Sequence, residues 1–328
     1  MVTPVLLFMA AALFLWTTSV CSATAQVLPD KFAMLGDGKE PIPGFIKVVD
    51  SVCLDTSKLT VKYKAYYRLY DGGCDQWHTT LLYVGRKYSF FHDMGQHTYS
   101  HRLCTLKDMA VRGEIAEFSL SPDENGISSY FYTSVLYDTD AEKYKVVVPD
   151  IWANSQDNFR LCSLAHIYEE DVPELEWEIT GEHGTVASFD CQKAECDFRG
   201  RRWEAWFTTE IPFSEGPWKL RGLPGLILYA SDTTGQYSFE AVSVTDEPVP
   251  FYDYIYENEK KTTYRKFKRY ERSCFRWPKS FNENTSVFIV TGNGIEEADY
   301  QNWRMPYYPM EWQHKSSNRP NRQKHREQ

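Results

Sequence analysis

The feature that most constrains the fold is a two-residue alternation of apolar and polar side chains. "LTVKYKAYYRLY" (59–70) sets Val, Tyr and Ala against Thr and Lys, and "TTLLYVGRKYSFF" (79–91) continues in β-branched and aromatic residues. A period of two places one set of side chains on a buried face and the other in water, which implies antiparallel strands. Asp71-Gly72-Gly73 between the two runs is a turn signal. Aromatic residues make up 16% of the chain, and Tyr and Trp suit half-buried pleated surfaces, so the composition points the same way.

The pattern is clearest beyond Trp177. "TVASFDCQKAECDF" (185–198) meets "RRWEAWFTTEI" (201–211) across Arg199-Gly200, predicting a hairpin with Gly200 at or near its tip. Trp203, Ala205 and Phe207 then share one face, and Glu204, Trp206 and Thr208 the other. "GPWKLRGLPG" follows as a bend, then the apolar strand "LILYAS" (226–231), a turn at Asp232-Thr233-Thr234-Gly235 and the strand "QYSFEAVSV" (236–244). Strand, bend, strand, turn, strand is a meander.

Gly216, Pro217, Gly222, Pro224 and Gly225 crowd into that bend, and Pro224-Gly225 fits the centre of a type II turn with Gly225 at positive φ. A phosphate-binding loop is disfavoured: the GxxxxGK[ST] order is missing and the two prolines lack N–H donors.

Helical character is weaker. Short helices are expected within 104–116 and 159–170, and "NEKKTTYRKFKRYERS" (258–273) reads as a surface helix with Tyr264, Phe267 and Tyr270 spaced three apart. "MPYYPMEW" (305–312) reads as an extended edge segment.

The first 25 residues read as a signal peptide, with an apolar run from Val5 to Trp16 and small residues in Ala23-Thr24-Ala25. Lipidation at Cys21 is the weaker alternative. No other stretch reaches the roughly 20 apolar residues of a membrane-spanning helix. The expected organisation is signal peptide 1–25, irregular lead-in 26–44, a single β-rich domain 45–312 and a basic tail 313–328. Seven cysteines follow Ala25, an odd number, so disulfides in an exported chain would leave one thiol over or joined between molecules.

One stretch carries a family resemblance. "CQKAECDFRGRRWEAWFTTEIPFSEGPWKLRGLPGLIL" (191–228) resembles the signature of the GLPGLI family of exported Gram-negative envelope proteins, whose naming hexapeptide corresponds to 222–227. "LLYVGRKYSFF" and "YYPMEW" add to it, although the family more usually ends this last segment in an Asn-Pro-Ile-Glu-type sequence. The resemblance brings no activity, cofactor or catalytic residue. The order of elements is also similar to the half-barrel of periplasmic lipoprotein carriers, which implies a mainly β fold: a curved antiparallel sheet with one or a few packed helices.

Among candidate sites, His92, His97 and His101 with Asp93 are the best metal-ligand pattern. His97 and His101 share a face if helical, but no third ligand is fixed by spacing, and the expectation is no metal. Cys191 with His183 and Asp190 could be drawn as nucleophile and base, yet a strand cysteine in an exported protein is more often buried or disulfide-bonded. Asp190, Asp197, Glu204, Glu210 and Glu215 supply carboxylates for an exported hydrolase built on the 190–215 hairpin, the alternative function. Lys260, Lys261, Arg265, Lys266, Lys268, Arg269 and Arg272 could meet anionic lipid, although such runs are usually the wet side of a helix. Nucleic acid is disfavoured by export and a net charge of −9. Asp232-Thr233-Thr234 and Asn284-Thr285-Ser286 match short glycosylation motifs.

The leading expectation is a non-enzymatic protein of the periplasm or outer-membrane periphery that needs no cofactor. It would bind an apolar ligand, such as a lipid, or an envelope protein partner through its curved sheet, with Trp203, Trp206, Trp218, Leu223, Leu226 and Tyr229 as candidate linings. An assembly factor without a small ligand is the other alternative.

Overall fold

In a computed structural model describing residues 48–67, 77–115, 133–149, 164–276 and 309–311, alternation and continuous apolar runs mark two kinds of strand. Alternating strands bury one face. They are β2 (Leu59–Tyr67), β9 (Phe189–Phe198), β10 (Arg201–Thr208) and β12 (Tyr237–Thr245). Continuous strands bury both faces: β4 (Tyr88–Asp93), β5 (Ser134–Asp138) and the first half of β7 (Ala165–Asp171). The second kind requires cover on each side, as in any sheet sandwiched between layers.

With β3 (Trp77–Val84), β6 (Lys143–Pro149), β8 (Glu178–Val186), β11 (Leu226–Asp232) and the short β14 (Glu259–Lys261), these form a sheet ordered β14-β7-β6-β5-β4-β3-β2-β12-β11-β10-β9-β8. All neighbours are antiparallel except β14 and β7. The sheet is large, curved and unclosed, and the fold is mainly β, with two helices among the described residues. Its inner face holds the main core, where Val61, Tyr63, Phe91 and Val146 from one half share a cluster with Ala194, Trp203, Ala230 and Phe239 from the other.

The outer face of β3–β7 is covered by a second layer. A ribbon of β1 (Val48–Thr56) and β13 (Pro250–Tyr256) lies there with helix α1 (Met94–Val111). Val48, Tyr99, Leu103, Tyr254 and Tyr256 pack on Val147, Ala165 and Ile167, and Phe251 packs on Leu81, Tyr83, Phe90 and Leu136. Helix α2 (Tyr264–Arg276) adds Phe267 to the main core.

The meander is as expected: β10, β11 and β12 are successive antiparallel neighbours, and Phe198 faces Arg201 across the predicted hairpin tip. Arg199 (φ 52°) and Gly200 (φ 78°) are both left-handed, the two-residue turn that matches strand twist.

Other expectations need correction. Residues 165–171 are strand, not helix: His166, Ile167 and Tyr168 pair with β6 between two packed layers. "TTLLYVGRKYSFF" is two strands, turned by Gly85-Arg86-Lys87, where Asp55 accepts from the Arg86 and Lys87 amides at 2.6 and 2.9 Å. The basic helix starts at Tyr264, because Glu259–Lys261 pairs with β7. The helix foreseen at 104–116 begins at Met94, where Asp93 caps it by accepting from the Gln96 amide at 2.9 Å. It closes through Gly113 at φ 75°. Residues 1–47, 68–76, 116–132, 150–163, 277–308 and 312–328 lie outside the description, and with them the signal peptide, lead-in, Asp71-Gly73 turn, the first part of the 159–170 stretch, Asn284 motif, most of the 305–312 segment and the basic tail.

Candidate functional site

The bend between β10 and β11 folds into the concavity of the sheet. Trp218, Leu220 and Leu223 are at most 4% exposed, and they pack among Phe198, Trp203, Tyr144 and Phe91. Burying so irregular a segment requires partners for its backbone groups. Leu226 N donates to Ile211 O at 3.1 Å, Ile227 N to Glu215 O at 2.9 Å and Gly222 N to Ser214 O at 3.1 Å. From outside, Tyr63 Oη donates to Ile227 O at 2.7 Å and Trp177 Nε1 to Arg221 O at 2.8 Å.

The glycines act differently from the type II expectation. Gly225 is not at positive φ; Trp218 (57°) and Gly222 (95°) are. Gly225 is needed because a Cβ there would overlap the carbonyl group of Thr208. At Gly216 a Cβ would lie 2.5 Å from Leu220 O and 2.8 Å from Ile227 Cβ. Close approach, rather than turn chemistry, fixes both positions.

Polar side chains leave the bend in two directions. Toward β4 and β5, Arg221 Nη2 lies 2.7 Å from Glu215 Oε1, Ser89 Oγ donates to Glu215 Oε2 at 3.1 Å, and the guanidinium covers the Tyr137 ring at 3.5 Å. Burial raises the Glu215 carboxyl above its ordinary value, while Arg221 and Ser89 pull it back. These groups, with Phe91, Tyr144 and Trp218, line a cavity of about 10 Å³, room for a single water. That is far below the roughly 300–1,000 Å³ of ordinary ligand sites.

Toward β7, Lys219 Nζ sits 2.5 Å from both Glu170 Oε1 and Glu311 Oε1, its side chain wholly buried. Arg199 reaches Glu170 Oε2 at 2.8 Å and Glu311 Oε2 at 4.0 Å. Arg201, from the same hairpin, donates to the Pro309 carbonyl at 2.9 and 2.6 Å. Three cations of the hairpin and bend thus hold the Pro309–Glu311 segment. In the sequence, Lys219 stands out only as a lysine that does not fit the GxxxxGK[ST] order. The motif offered no direct signal of its burial beyond an apolar neighbour on either side.

Of the six candidate linings, Trp203, Trp218, Leu223 and Leu226 are core, each under 5% exposed. Trp206 and Tyr229 are half-exposed and directly paired on the outer face of β8–β12. The Trp206 ring lies so close over Gly184 that a Cβ there would be 2.8 Å from its Cζ3. Around them Lys193 meets Glu195, Glu204 and Glu182 at 3.1–3.5 Å, and Arg202 meets Glu195, Glu178 and Asp197 at 2.9–3.3 Å.

The hairpin carboxylates therefore do not converge. Glu215 is inside, Glu204 and Asp197 are on the outer face, and Glu210 accepts from the amide of exposed Asp190 at 3.0 Å. Cys191 is buried opposite Gly184, with its thiol raised by burial, and His183 is exposed and opposite Gln192. Neither an activated thiolate nor a base beside it results. No disulfide joins the described cysteines 53, 104, 191, 196 and 274; Cys74 and Cys162 lie outside the description.

The three histidines do meet. His92 ends β4, His97 and His101 lie on α1, and the ring centroids are 4.6 Å apart for His92–His97 and 5.9 Å for His97–His101. His97 joins three elements: Nδ1 is 3.0 Å from Tyr254 Oη of β13, and Nε2 is 3.4 Å from Tyr83 Oη of β3. Burial pushes His97 down to about 4 and His92 well below the usual imidazole value. Among the described residues no three His, Cys, Asp or Glu side chains are placed to hold one metal ion.

Of the basic run, Lys268 is buried against Glu271, while Arg265, Lys266 and Arg269 are exposed. No described helix is long and apolar enough to cross a membrane.

No curated protein matches the chain. Two solved structures of PNGF-II, in P21 and C2 space groups, align with TM-score 0.40 and 13% identity over 66% of this chain. The chain spans about a third of their length, 33% and 32%. Residues 199–229, the hairpin tip, bend and first apolar strand described above, match the family described as "Protein of unknown function (Porph_ging)", consistent with a GLPGLI-type family.

Proposed function

We propose that this is a non-enzymatic exported envelope protein that binds a protein partner on the outer face of β8–β12. The observation that carries the reading is the filling of the sheet's concavity by the chain's own bend. Trp218, Leu220 and Leu223 occupy the volume that a lipid would take in an open half-barrel. The outer face is different in kind: Trp206 and Tyr229 stand side by side amid charges of both signs, with Val242 52% exposed on the next strand. Half-exposed aromatics ringed by charged residues resemble the anchors and polar rim of protein interfaces. The hydrolase alternative is less well supported, because Glu215 lies inside against Arg221, while Glu204 and Asp197 on the outer face are engaged by Lys193 and Arg202.

Native mass spectrometry of the full protein, extracted from its own envelope in mild detergent, tests this. A co-purifying protein and no retained lipid is the expected result. A stoichiometric lipid would return the function to the apolar-ligand reading.

A further inference from the structure

We propose that Lys219 and Glu170 condense to an intramolecular isopeptide bond, making this buried cluster a site of self-modification. This inference does not depend on the partner-binding reading.

Lys219 Nζ is fully buried and equidistant, at 2.5 Å, from Glu170 and Glu311. The rings of Tyr168, Trp218 and Tyr264 surround it at 5.5, 5.6 and 5.9 Å. Glu170 and Glu311 are 9% and 6% exposed, and Arg199 is 13% exposed. Four charges are therefore withdrawn from water in one place, an arrangement whose desolvation penalty rivals its Coulombic gain. Condensation removes two of them. The cluster is electroneutral before the reaction and stays so after it, with Arg199 and Glu311 as the remaining pair.

The two carboxylates are not equivalent. Glu170 Oε2 accepts from Arg199 at 2.8 Å, so negative charge building on that oxygen during attack at Cδ already has a donor. Glu311 Oε2 is buried with no hydrogen-bond partner, and Lys219, Arg199 and Lys268 hold this carboxyl below its ordinary value despite burial. Glu311 is thus an ionised base touching the nucleophile.

In the step itself, the Lys219 ammonium passes one proton to Glu311, and the freed amine attacks Glu170 Cδ. The Nζ–Cδ bond forms, and the Cδ–Oε1 bond breaks. Oε1 leaves as water, taking the proton held by Glu311 and the second proton lost by Nζ. One lysine ammonium and one carboxylate give one amide and one water, with no oxidant or cofactor. Fixed neighbours at contact distance supply the effective concentration that free amine and carboxylate lack.

The intact mass of the full purified protein, denatured and reduced, decides the matter. The native sequence should be lighter than its processed chain by about 18 Da, one water. Trypsin should fail to cleave after Lys219, and the fragment carrying Glu170 should travel joined to the fragment carrying Lys219. Lys219→Arg, which keeps the cation but cannot condense, should show its full sequence mass and two separate fragments. A native chain at full mass with free Lys219 and Glu170 peptides overturns the proposal, whether or not the variant folds.

Discussion

Arg201 Nη1 lies 2.6 Å from Asp232 Oδ2, with the two side chains 3% and 0% exposed. The pair joins the start of β10 to the turn after β11. Asp232 Oδ1 also accepts from the amides of Gln236 and Tyr237, both at 2.8 Å, and Arg201 lies over the Tyr237 ring at 4.6 Å. Asp232-Thr233-Thr234, a glycosylation-like motif by sequence, is thus also a structural turn whose aspartate is fully engaged.

Removing one member of such a buried pair leaves the other uncompensated, at a cost of about 3–5 kcal/mol. Arg201→Met should lower stability by that amount in urea unfolding, and it also releases the Pro309 carbonyl. A loss under about 1 kcal/mol would mean that water enters the site freely.

Gly225 and Gly222 separate two reasons for glycine in the bend. Gly225→Ala should be the more damaging, because its methyl overlaps the Thr208 carbonyl, a backbone group that cannot rotate aside. Gly222→Ala meets only Trp177 Nε1 at 4.0 Å and bears the left-handed φ penalty of about 1–2 kcal/mol. Thermal melting of both variants checks the order. Equal losses would contradict the close-approach account.

The histidine cluster predicts an acid-sensitive fold. The unfolded chain titrates His97 near an ordinary value of about 6.5, whereas the folded chain holds it at about 4. Between those values the unfolded state binds more protons, so stability falls as pH falls, and the penalty levels off below about 4. His92 is shifted the same way, and the two rings titrate as a pair. From pH 7 to pH 5, His97 alone should remove about 2 kcal/mol. Urea midpoints of the native chain and His97→Gln across this range should converge toward acid. Parallel curves would dismiss the cluster as the cause.

The strands with strict alternation were legible because one wet face leaves a period of two in the sequence. β7 is not: "AHIYEE" is apolar then acidic, since its first half is covered on both faces, while in its second half Glu169 and Asp171 reach solvent and Glu170 turns inward to Lys219. α1 starts ten residues before the stretch its sequence suggests, because its buried positions, Gln96, Tyr99, Ser100, Leu103 and Ala110, include polar side chains and blur the apolar stripe. Asp93 with Gln96 three residues on was the available sign of its start. The aromatic linings divide between two faces for a simpler reason. Trp203 and Trp206 are three apart on one strand, and alternation alone puts them on opposite faces, one in the core and one outside. Lys219 in an apolar stretch gave no hint that carboxylates 49 and 92 residues away would enclose it.

The most direct test of the central claim is quantitative co-purification from the native envelope with Trp206→Ser/Tyr229→Ser beside the native chain. Both substitutions lie on the half-exposed outer face, so the fold should be kept, as judged by unchanged near-ultraviolet circular dichroism of the core aromatics. The account predicts that the partner is lost from the double variant while the fold remains. Undiminished partner recovery by a folded double variant would contradict it.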